Sequence, residues 1–351
     1  MIREVKIMEG KIRVKDHNSR RKCLAITCLI FIVALFSKEL LAAPYYGGKK
    51  ITIVVGVGPG GGHDRMARLL AKHLSKYIEG KPIILVENMP GAASIIGANH
   101  IYHIAKPDGL TIGTFERGIP IAQLLKLEGV KYDVRKYSWI GSMAVEPSLL
   151  AIRADLPFKT YQDVLKSKSP IMFGITGAAD AFAQFISLLK EFHGLTCRVV
   201  TYPSSADVQL AVDRKEVDGR GYSLNAFRPF MDRGDMRPII RGRVSGPEIE
   251  NLPVDEDLTT DKLGKTLMAI RSLPEQIGRP YVAPPGTSAV ALKALRDGFL
   301  NVSKDPQFQE ESKKLMMKVD YTPPEQCMKV SDYILNQPED IVREFRKYHK
   351  F

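Results

Sequence analysis

From residue 50 onward, short apolar runs alternate with segments whose apolar residues recur every three or four positions. Residues 51–57 form a continuous apolar run, residues 66–74 carry apolar side chains at helical spacing, and residues 82–86 form a second run. A strand, a helix and a strand in this order are typical of βαβ units with parallel strands. The pattern continues with three further predicted elements, a helix over 95–104, a strand over 110–114 and a helix over 119–127.

A second series of elements begins after Trp139-Ile140-Gly141 and predicts a second lobe. His193-Gly194 is typical of a helix C-terminus within this series. The predicted elements are strands over 149–153, 171–174 and 198–202, helices over 161–166, 181–192 and 208–214, and a short strand after 217–218.

The last part of the chain is expected to lead back to the first lobe. Residues 268–271 and 281–283 form that route, and the helices expected to pack there lie over 289–302, 306–316 and 338–348. The sequence therefore predicts an α/β protein with two lobes, each a doubly wound mixed sheet with flanking helices. The predicted boundaries are 44–147 plus 276–351 for the first lobe and 148–275 for the second, with a ligand cleft between them.

Residues 1–43 have the pattern of an export signal. Arg20-Arg21-Lys22 form a basic region, an apolar run follows from Leu24 to Phe36, and Leu41-Ala42-Ala43 offers small residues for cleavage. The run is too short to span a bilayer comfortably as a helix of the mature protein. Ser19-Arg20-Arg21 also resembles a twin-arginine signal. We expect export to the periplasm, by either route.

The composition adds little that is specific. The formal net charge is +12, and the first 43 residues, with nine Lys or Arg and four Asp or Glu, leave +7 for the rest. This excess favours small anionic ligands, and basic runs interleaved with aromatic residues, which nucleic-acid binding would require, are lacking. Cys197 and Cys327 remain after the signal and are expected in different lobes as free buried thiols. No cysteine or histidine cluster has metal-ligand spacing, so we predict no metal.

The densest local signal is the glycine-rich segment 56–64, which lies between a predicted strand and a predicted helix. Glycines allow close approach of a ligand to the backbone, and the first turn of the helix offers unpaired N–H groups at the positive end of its dipole. A carboxylate is therefore the expected ligand, with Asp64 bracing the loop and His63 at the rim. The candidate ligand-binding residues of this segment are Gly58, Pro59, Gly60, Gly61, Gly62, His63 and Asp64.

The same glycines allow a competing interpretation, in which Gly56, Gly58 and Gly61 are the G-x-G-x-x-G of an NAD(P)-dependent oxidoreductase. Against it, Glu87 lies 31 residues after Gly56, whereas the spacing of that fingerprint is about 20. Pro59 also interrupts the tight turn. His63-Asp64 lacks a nucleophile motif, so we predict a protein that is not an enzyme and binds no cofactor.

Four sequence blocks occur in order after the signal: Pro59-Gly60-Gly61-Gly62-His63-Asp64 with Ala67-Arg68, Val86-Glu87-Asn88-Met89-Pro90-Gly91-Ala92 with Gly97-Ala98, Ala105-Lys106-Pro107-Asp108-Gly109-Leu110-Thr111, and Ala283-Pro284-Pro285-Gly286-Thr287. They are similar to P-G-G-x-x-D-x-x-A-R, V-E-N-x-P-G-A, P-D-G-x-T and P-x-G-T. In this order the blocks resemble the solute receptors of tripartite tricarboxylate transporters, also called Bug receptors.

The resemblance implies a periplasmic type II binding-protein fold, with two α/β lobes joined by crossing strands around a carboxylate. It implies transport rather than catalysis, with a monomeric receptor that delivers its ligand to large and small membrane permease subunits. A second loop, in the other lobe, completes the grip in that family, and here it maps to residues 174–180, of which Thr176 and Gly177 fit the pattern. A sensory ligand-binding module remains an alternative use of the same cleft.

Two segments of the second lobe depart from the family pattern. Asp180 stands where a small hydroxyl residue is usual, and residues 202–207, with Ser204 and Ser205, replace a run with glycine and proline. A carboxylate close to an anionic ligand is repulsive, so either Asp180 points away or the far end of the ligand is an amine, amide or hydroxyl. Ser204, Ser205, Asp180 and Asn225 complete the candidate contacts of this lobe.

Arg117 is a candidate on the residues alone, because it follows the predicted strand over 110–114. The carboxyl ends of strands face the cleft in open α/β sheets, and a guanidinium can bind a carboxylate with two hydrogen bonds. A surface arginine balanced by Glu116 is the alternative. The sequence leaves both open.

Overall fold

The computed structural model describes residues 44–177 and 180–349. The expected export signal lies outside these residues. Ten strands lie within them: β1 (Lys50–Val55), β2 (Ile83–Asn88), β3 (Thr111–Thr114), β4 (Ser138–Ser142), β5 (Ser148–Arg153), β6 (Ile171–Ile175), β7 (Cys197–Thr201), β8 (Gly219–Ser223), β9 (Met236–Arg241) and β10 (Pro280–Ala283).

Twelve α-helices lie in the same described residues, accompanied by short 3₁₀ turns: α1 (Gly62–Leu74), α2 (Ile95–His103), α3 (Ile119–Leu124), α4 (Tyr161–Leu165), α5 (Ala181–His193), α6 (Ser205–Asp213), α7 (Leu224–Arg233), α8 (Lys262–Ser272), α9 (Ala289–Ser303), α10 (Pro306–Lys314), α11 (Pro324–Leu335) and α12 (Glu339–Arg346).

The strands form two sheets of five, which confirms the predicted fold class. The first sheet has the order β2-β1-β3-β10-β4 and the second β7-β6-β8-β5-β9. In the first, β1 is parallel to β2 and β3, and β10 is antiparallel to β3 and β4. In the second, β6 is parallel to β7 and β8, and β5 is antiparallel to β8 and β9. Loops after parallel strands emerge at one edge of each sheet, where ligand sites form.

The apolar run of β1 shows why the pattern predicted a buried strand. Ile51 and Ile53 pack in one hydrophobic cluster, and Val54, which points to the other face, packs in a second cluster with Ile95 and Ile101 of α2. Helices cover both faces of a doubly wound sheet, so its central strands are apolar on both sides.

Some elements differ from those expected. Residues 268–271, expected on the route back to the first lobe, belong to helix α8. The strand β9 and the helix α7 were not predicted, because their arginines and Pro229 obscure the apolar spacing. Helix α5 ends at His193 with Gly194 in the left-handed conformation, as the predicted C-terminus requires.

The last helix, α12, and the 3₁₀ turn that follows it (Lys347–His349) contact both lobes. Arg346 Nε donates to the carbonyl of Leu125 at 3.0 Å, and the Tyr348 ring lies 5.6 Å from that of Phe192 in α5.

The first sheet takes its strands from residues 50–142 and 280–283, and the second from 148–241. The exact lobe boundaries stay a prediction. Cys197 lies in β7 and Cys327 in α11, both buried and free.

The chain crosses between the sheets at two segments, residues 143–147 and 273–279, and a buried ion pair joins them. Arg279 Nη2 lies 2.6 Å from Glu146 Oε1, with both side chains nearly inaccessible to solvent. Asn225 of α7 donates to the same oxygen at 2.9 Å, and the backbone N–H of Glu146 donates to the Glu275 carbonyl at 2.8 Å. One carboxylate thus holds both crossing segments and a helix of the second sheet.

We expect Arg279→Met to lower the free energy of unfolding by about 3–5 kcal/mol, because it leaves the Glu146 carboxylate buried without its cation. Adding Glu146→Gln to that variant removes the uncompensated charge and is expected to restore part of the loss. Urea denaturation of the three proteins measures both effects. A double variant no more stable than Arg279→Met would contradict the ion-pair explanation.

Candidate functional site

The glycine loop follows β1 and leads into α1. Gly60 has φ of +83°, a conformation that favours glycine, and Gly61 precedes the helix without a side-chain cap for the first N–H groups. A Cβ added at Gly58 or Gly60 would meet no atom within 4 Å. The loop therefore presents uncapped helix N–H groups beside open space, as a backbone anion site requires.

Asp64 braces this loop, as the sequence led us to expect. Its Oδ2 accepts from the backbone N–H of Gly60 at 2.8 Å and from Arg68 Nε at 2.9 Å, and its Oδ1 accepts from Asn88 Nδ2 at 2.9 Å. Burial acts to raise the pKa of Asp64, but these hydrogen bonds outweigh it and hold the pKa below its ordinary value. Direct ligand contact by Asp64 stays a prediction.

His63 lies deeper than the rim position expected for it. Its side chain is 11% exposed, with Nδ1 3.5 Å from Thr114 Oγ1 and Nε2 3.9 Å from Glu116 Oε2. Burial, followed by the cations Arg279 and Arg117, lowers the pKa of His63 to about 3. The imidazole is therefore neutral at physiological pH and contributes hydrogen-bonding atoms rather than charge.

Arg117 is a buried residue, so the alternative of a surface arginine is wrong. It is 7% exposed and donates from Nη1 to the Glu146 carbonyl at 2.8 Å. Its guanidinium lies 5.7 Å from the ring of Phe182, which belongs to α5 of the second lobe. Glu116, whose side chain is 44% exposed, is near His63 instead. The position of Arg117 between the lobes agrees with the cleft interpretation, while its ligand contact stays a prediction.

The second-lobe loop after β6 repeats the bracing seen in the first lobe. Asp180 Oδ2 accepts from the backbone N–H and the hydroxyl of Thr176, both at 2.9 Å, and Oδ1 accepts from the N–H of Phe182 at 2.9 Å. Asp180 is thus the N-cap of α5. Gly177 has φ of +141° and open space at its Cβ position. Residues 178 and 179 lie outside the described chain.

The loop after β7 carries Ser204 and Ser205. Ser204 is the N-cap of α6, accepting from the N–H of Asp207 at 3.2 Å and donating to its carboxylate at 2.6 Å. Ser205 accepts two hydrogen bonds of 2.5 Å from Arg220, one at its carbonyl and one at its hydroxyl. The Ser204 hydroxyl is therefore engaged within the loop, while Ser205 Oγ keeps its proton for a further bond.

Asn225 is buried at the crossing between the lobes. Its Nδ2 donates to Glu146, and its Oδ1 accepts from the backbone N–H of Lys318 at 3.1 Å. The side chain of this candidate is thus engaged at both ends in contacts between elements of the two lobes. A ligand contact of Asn225 stays a prediction that these bonds do not require.

Sequence reasoning missed three charged residues, Glu146, Arg220 and Arg279. Arg220 lies in the short strand β8, between Gly219 and Gly221, and a charge inside a glycine-flanked strand was the signal that could have identified it. Glu146 and Arg279 are far apart in sequence and carry no comparable signal.

In the described residues, no group of His, Cys, Asp and Glu side chains could hold a metal ion. No described helix is long and apolar enough to cross a membrane.

Solved structures share this architecture. The periplasmic binding protein BugD matches with a TM-score of 0.70 and 21% identity over 86% of this chain and 98% of its own. MatC of Rhodopseudomonas palustris with bound malate matches at 0.65 and 18% over 86% and 99%, and an R. palustris protein with adipate at 0.69 and 18% over 85% and 97%. The two sheets and their crossing segments therefore define a two-lobed fold of the periplasmic binding-protein class.

The family follows from the sequence comparison. Residues 66–346 match the model of the tripartite tricarboxylate transporter family receptor, so the chain belongs to this family. A UPF0065 protein of Agrobacterium vitis is 28% identical over 55% of this chain and 54% of its own length. A UPF0065 protein of Bordetella bronchiseptica is 24% identical over 81% and 82%. The resemblance inferred from the four sequence blocks is confirmed.

The lowered pKa of His63 predicts a pH dependence of stability. Between about pH 3 and the ordinary value near 6.5, the unfolded chain binds a proton at His63 that the folded protein excludes, so unfolding free energy rises with pH. From pH 7.5 to pH 5 we expect His63 to account for a loss of about 2 kcal/mol. The His63→Gln variant should lack this part of the slope, as measured by urea denaturation. A ring resonance of His63 that titrates near pH 6.5 by NMR would contradict its burial.

The bracing by Asp64 predicts the mobility of the loop. We expect Asp64→Ala to lose about 1–3 kcal/mol of stability and to speed hydrogen exchange of the Gly60 amide at least about tenfold, because that N–H loses its acceptor. Asp163→Ala, which removes a capping carboxylate of α4, is the matched control and should leave the Gly60 amide unchanged. Unchanged exchange in Asp64→Ala would show that the loop is held by other contacts.

Proposed function

We propose that this chain captures a small organic carboxylate between its two lobes in the periplasm. In this proposal it delivers the ligand to large and small permease subunits in the membrane. The observation that carries the proposal is the pair of glycine-containing loops, one after β1 and one after β6. Each is braced by an aspartate four residues beyond the N–H that it fixes, Asp64 for Gly60 and Asp180 for Thr176. In this proposal the remaining N–H groups of the two loops bind the ligand from opposite lobes.

The mechanism is binding rather than turnover. One carboxylate lies against the N–H groups of the glycine loop, where the helix dipole and the buried guanidinium of Arg117 favour negative charge. A ligand that contacts both lobes binds the closed form more tightly than the open form, so it shifts the equilibrium towards the closed form. The permease then recognises the surface of the closed form. Neutral His63 lines the same space as a hydrogen-bonding group.

Further observations support the proposal, some for the carboxylate ligand and one for export. The chain belongs to a family of transporter receptors, and two proteins with the same fold have been solved with malate and with adipate. The pattern of residues 1–43 is that of an export signal. The receptor family also disfavours the dinucleotide interpretation of Gly56, Gly58 and Gly61.

A thermal-shift screen of mono-, di- and tricarboxylates beside NAD and NADP tests the proposal. A carboxylate at about 100 times its Kd should stabilise the protein by about 2.7 kcal/mol, and native mass spectrometry should detect any such ligand retained in purification. Stabilisation by a nicotinamide cofactor alone would refute the receptor function. Uptake by proteoliposomes that contain the permease subunits, with and without this chain, separates transport from sensing.

Arg117 provides a second test. We expect Arg117→Ala to weaken binding of the carboxylate found in the screen about 10- to 100-fold, because a hydrogen-bonded charge is lost. Arg135→Ala, an exposed first-lobe arginine paired with Asp133, is the control and should bind normally. Calorimetric titration measures both. Equal affinity of Arg117→Ala and the native protein would exclude the contact.

A further inference from the structure

Four arginines of the described chain are buried, and they fall into two pairs. Arg271 and Arg279 are 4% and 3% exposed and form ion pairs, Arg271 with Asp255 and Glu275 and Arg279 with Glu146. Arg117 and Arg220 are 7% and 8% exposed, and no carboxylate of the described residues lies within ion-pair distance of either guanidinium. One unpaired buried cation therefore belongs to each lobe.

The surroundings of Arg220 leave its charge without a counterion. Its hydrogen bonds go to uncharged acceptors, the carbonyl and hydroxyl oxygens of Ser205 and the carbonyl of Gly221. Its guanidinium lies 4.7 Å from the Tyr222 ring. Burial lowers the pKa of Arg220, and Tyr222, Asp180 and Asp213 oppose this only in part. A buried charge in such surroundings is unfavourable unless an anion joins it.

Arg220 also contacts one of the candidate loops of the second lobe, the one that carries Ser204 and Ser205. Its guanidinium bonds directly to Ser205, the first residue of α6, so it reinforces the positive end of that helix. The Tyr202 N–H, just before this helix, donates to the Ile175 carbonyl at 2.9 Å and ties the loop to the one that carries Thr176. The charge of Arg220 thus acts where the far end of the ligand would lie.

Asp180, which the sequence analysis expected to repel an anionic ligand, is explained by contacts within its own lobe. Both of its carboxylate oxygens accept hydrogen bonds from its own loop and from the N-terminus of α5. These bonds explain Asp180 without a cationic group on the ligand, and they remove the reason to expect an amine, amide or hydroxyl at the far end.

We infer that Arg220 is a specificity-determining residue that favours a second anionic group at the far end of the ligand, so that the preferred ligand is a dicarboxylate with one carboxylate facing each lobe. This inference rests on the proposed carboxylate-binding function and deepens it. The far carboxylate would accept from the Ser205 hydroxyl and compensate the charge of Arg220, as the near carboxylate does at the glycine loop and Arg117.

Matched ligand pairs test the inference. Succinate, glutarate and adipate are titrated calorimetrically beside their monoamides, which keep the length and shape but lose the far charge. We expect the native protein to bind at least one dicarboxylate about 10- to 100-fold more tightly than its monoamide. In Arg220→Gln the affinity ratio of dicarboxylate to monoamide should fall to about threefold or less, because the dicarboxylate binds more weakly. Arg220→Lys keeps the charge and should retain part of the preference for the dicarboxylate.

The controls separate a charge effect from a structural one. Arg237→Gln removes another second-lobe arginine, one that donates to the backbone carbonyls of Phe158 and Ala154, and should leave the affinity ratio of dicarboxylate to monoamide unchanged.

Equal weakening of both ligands in Arg220→Gln, or no preference for the dicarboxylate in the native protein, would overturn this inference but not the proposed function. Failure of every carboxylate and monoamide to bind the native protein would overturn the proposed function as well. If Arg220→Gln does not fold, Arg220→Lys decides. Unchanged affinity for the monoamides with reduced affinity for the dicarboxylates supports the inference, and equal weakening of both overturns it.

Discussion

The buried carboxylate of Glu146 is the constraint on which the geometry of the site depends. A carboxylate at 2% exposure must be compensated, and its donors come from separate parts of the chain, Arg279 before β10 and Asn225 in α7. Its backbone carbonyl also accepts from Arg117. Glu146, which joins the crossing segments, therefore holds two cationic side chains, Arg279 and Arg117, beside the candidate binding loops.

The effect reaches the glycine loop through Arg279. A Cβ at Gly62 would lie 2.7 Å from Arg279 Nη2, so the start of α1 packs directly against the guanidinium that Glu146 holds. Burial is the main reason that the pKa of His63 beside that turn is low and its imidazole neutral, and Arg279 and Arg117 lower this pKa further. Glycine at position 62 is therefore explained by the close approach of Arg279, and glycine at position 60 by its backbone conformation.

How much of this could be read from the sequence depends on how local each feature is. The strand β1, the helix α1 and the glycine loop between them follow from apolar spacing and glycine content. Asp64 is close enough to Gly60 in sequence for its bracing to be anticipated. The Glu146–Arg279 pair joins residues of different segments, and only the folded chain brings them together. Asp180 was misleading for a related reason: its residue type suggested repulsion of an anion, whereas its hydrogen bonds to Thr176 and Phe182 show a helix cap.

The two unpaired arginines give the proposed closure a physical cause. In the proposed closure, an open form would leave Arg117 and Arg220 hydrated, and closing the lobes without a ligand would remove water from two like charges, which is unfavourable. In the proposed mechanism a dianion between the lobes would compensate both charges, so its binding energy would be realised chiefly in the closed form. A ligand shifts an equilibrium only by its difference in affinity for the two states. A monoanion at the glycine loop would leave Arg220 uncompensated and would shift the equilibrium less, so the charge of the far lobe links ligand selection to closure.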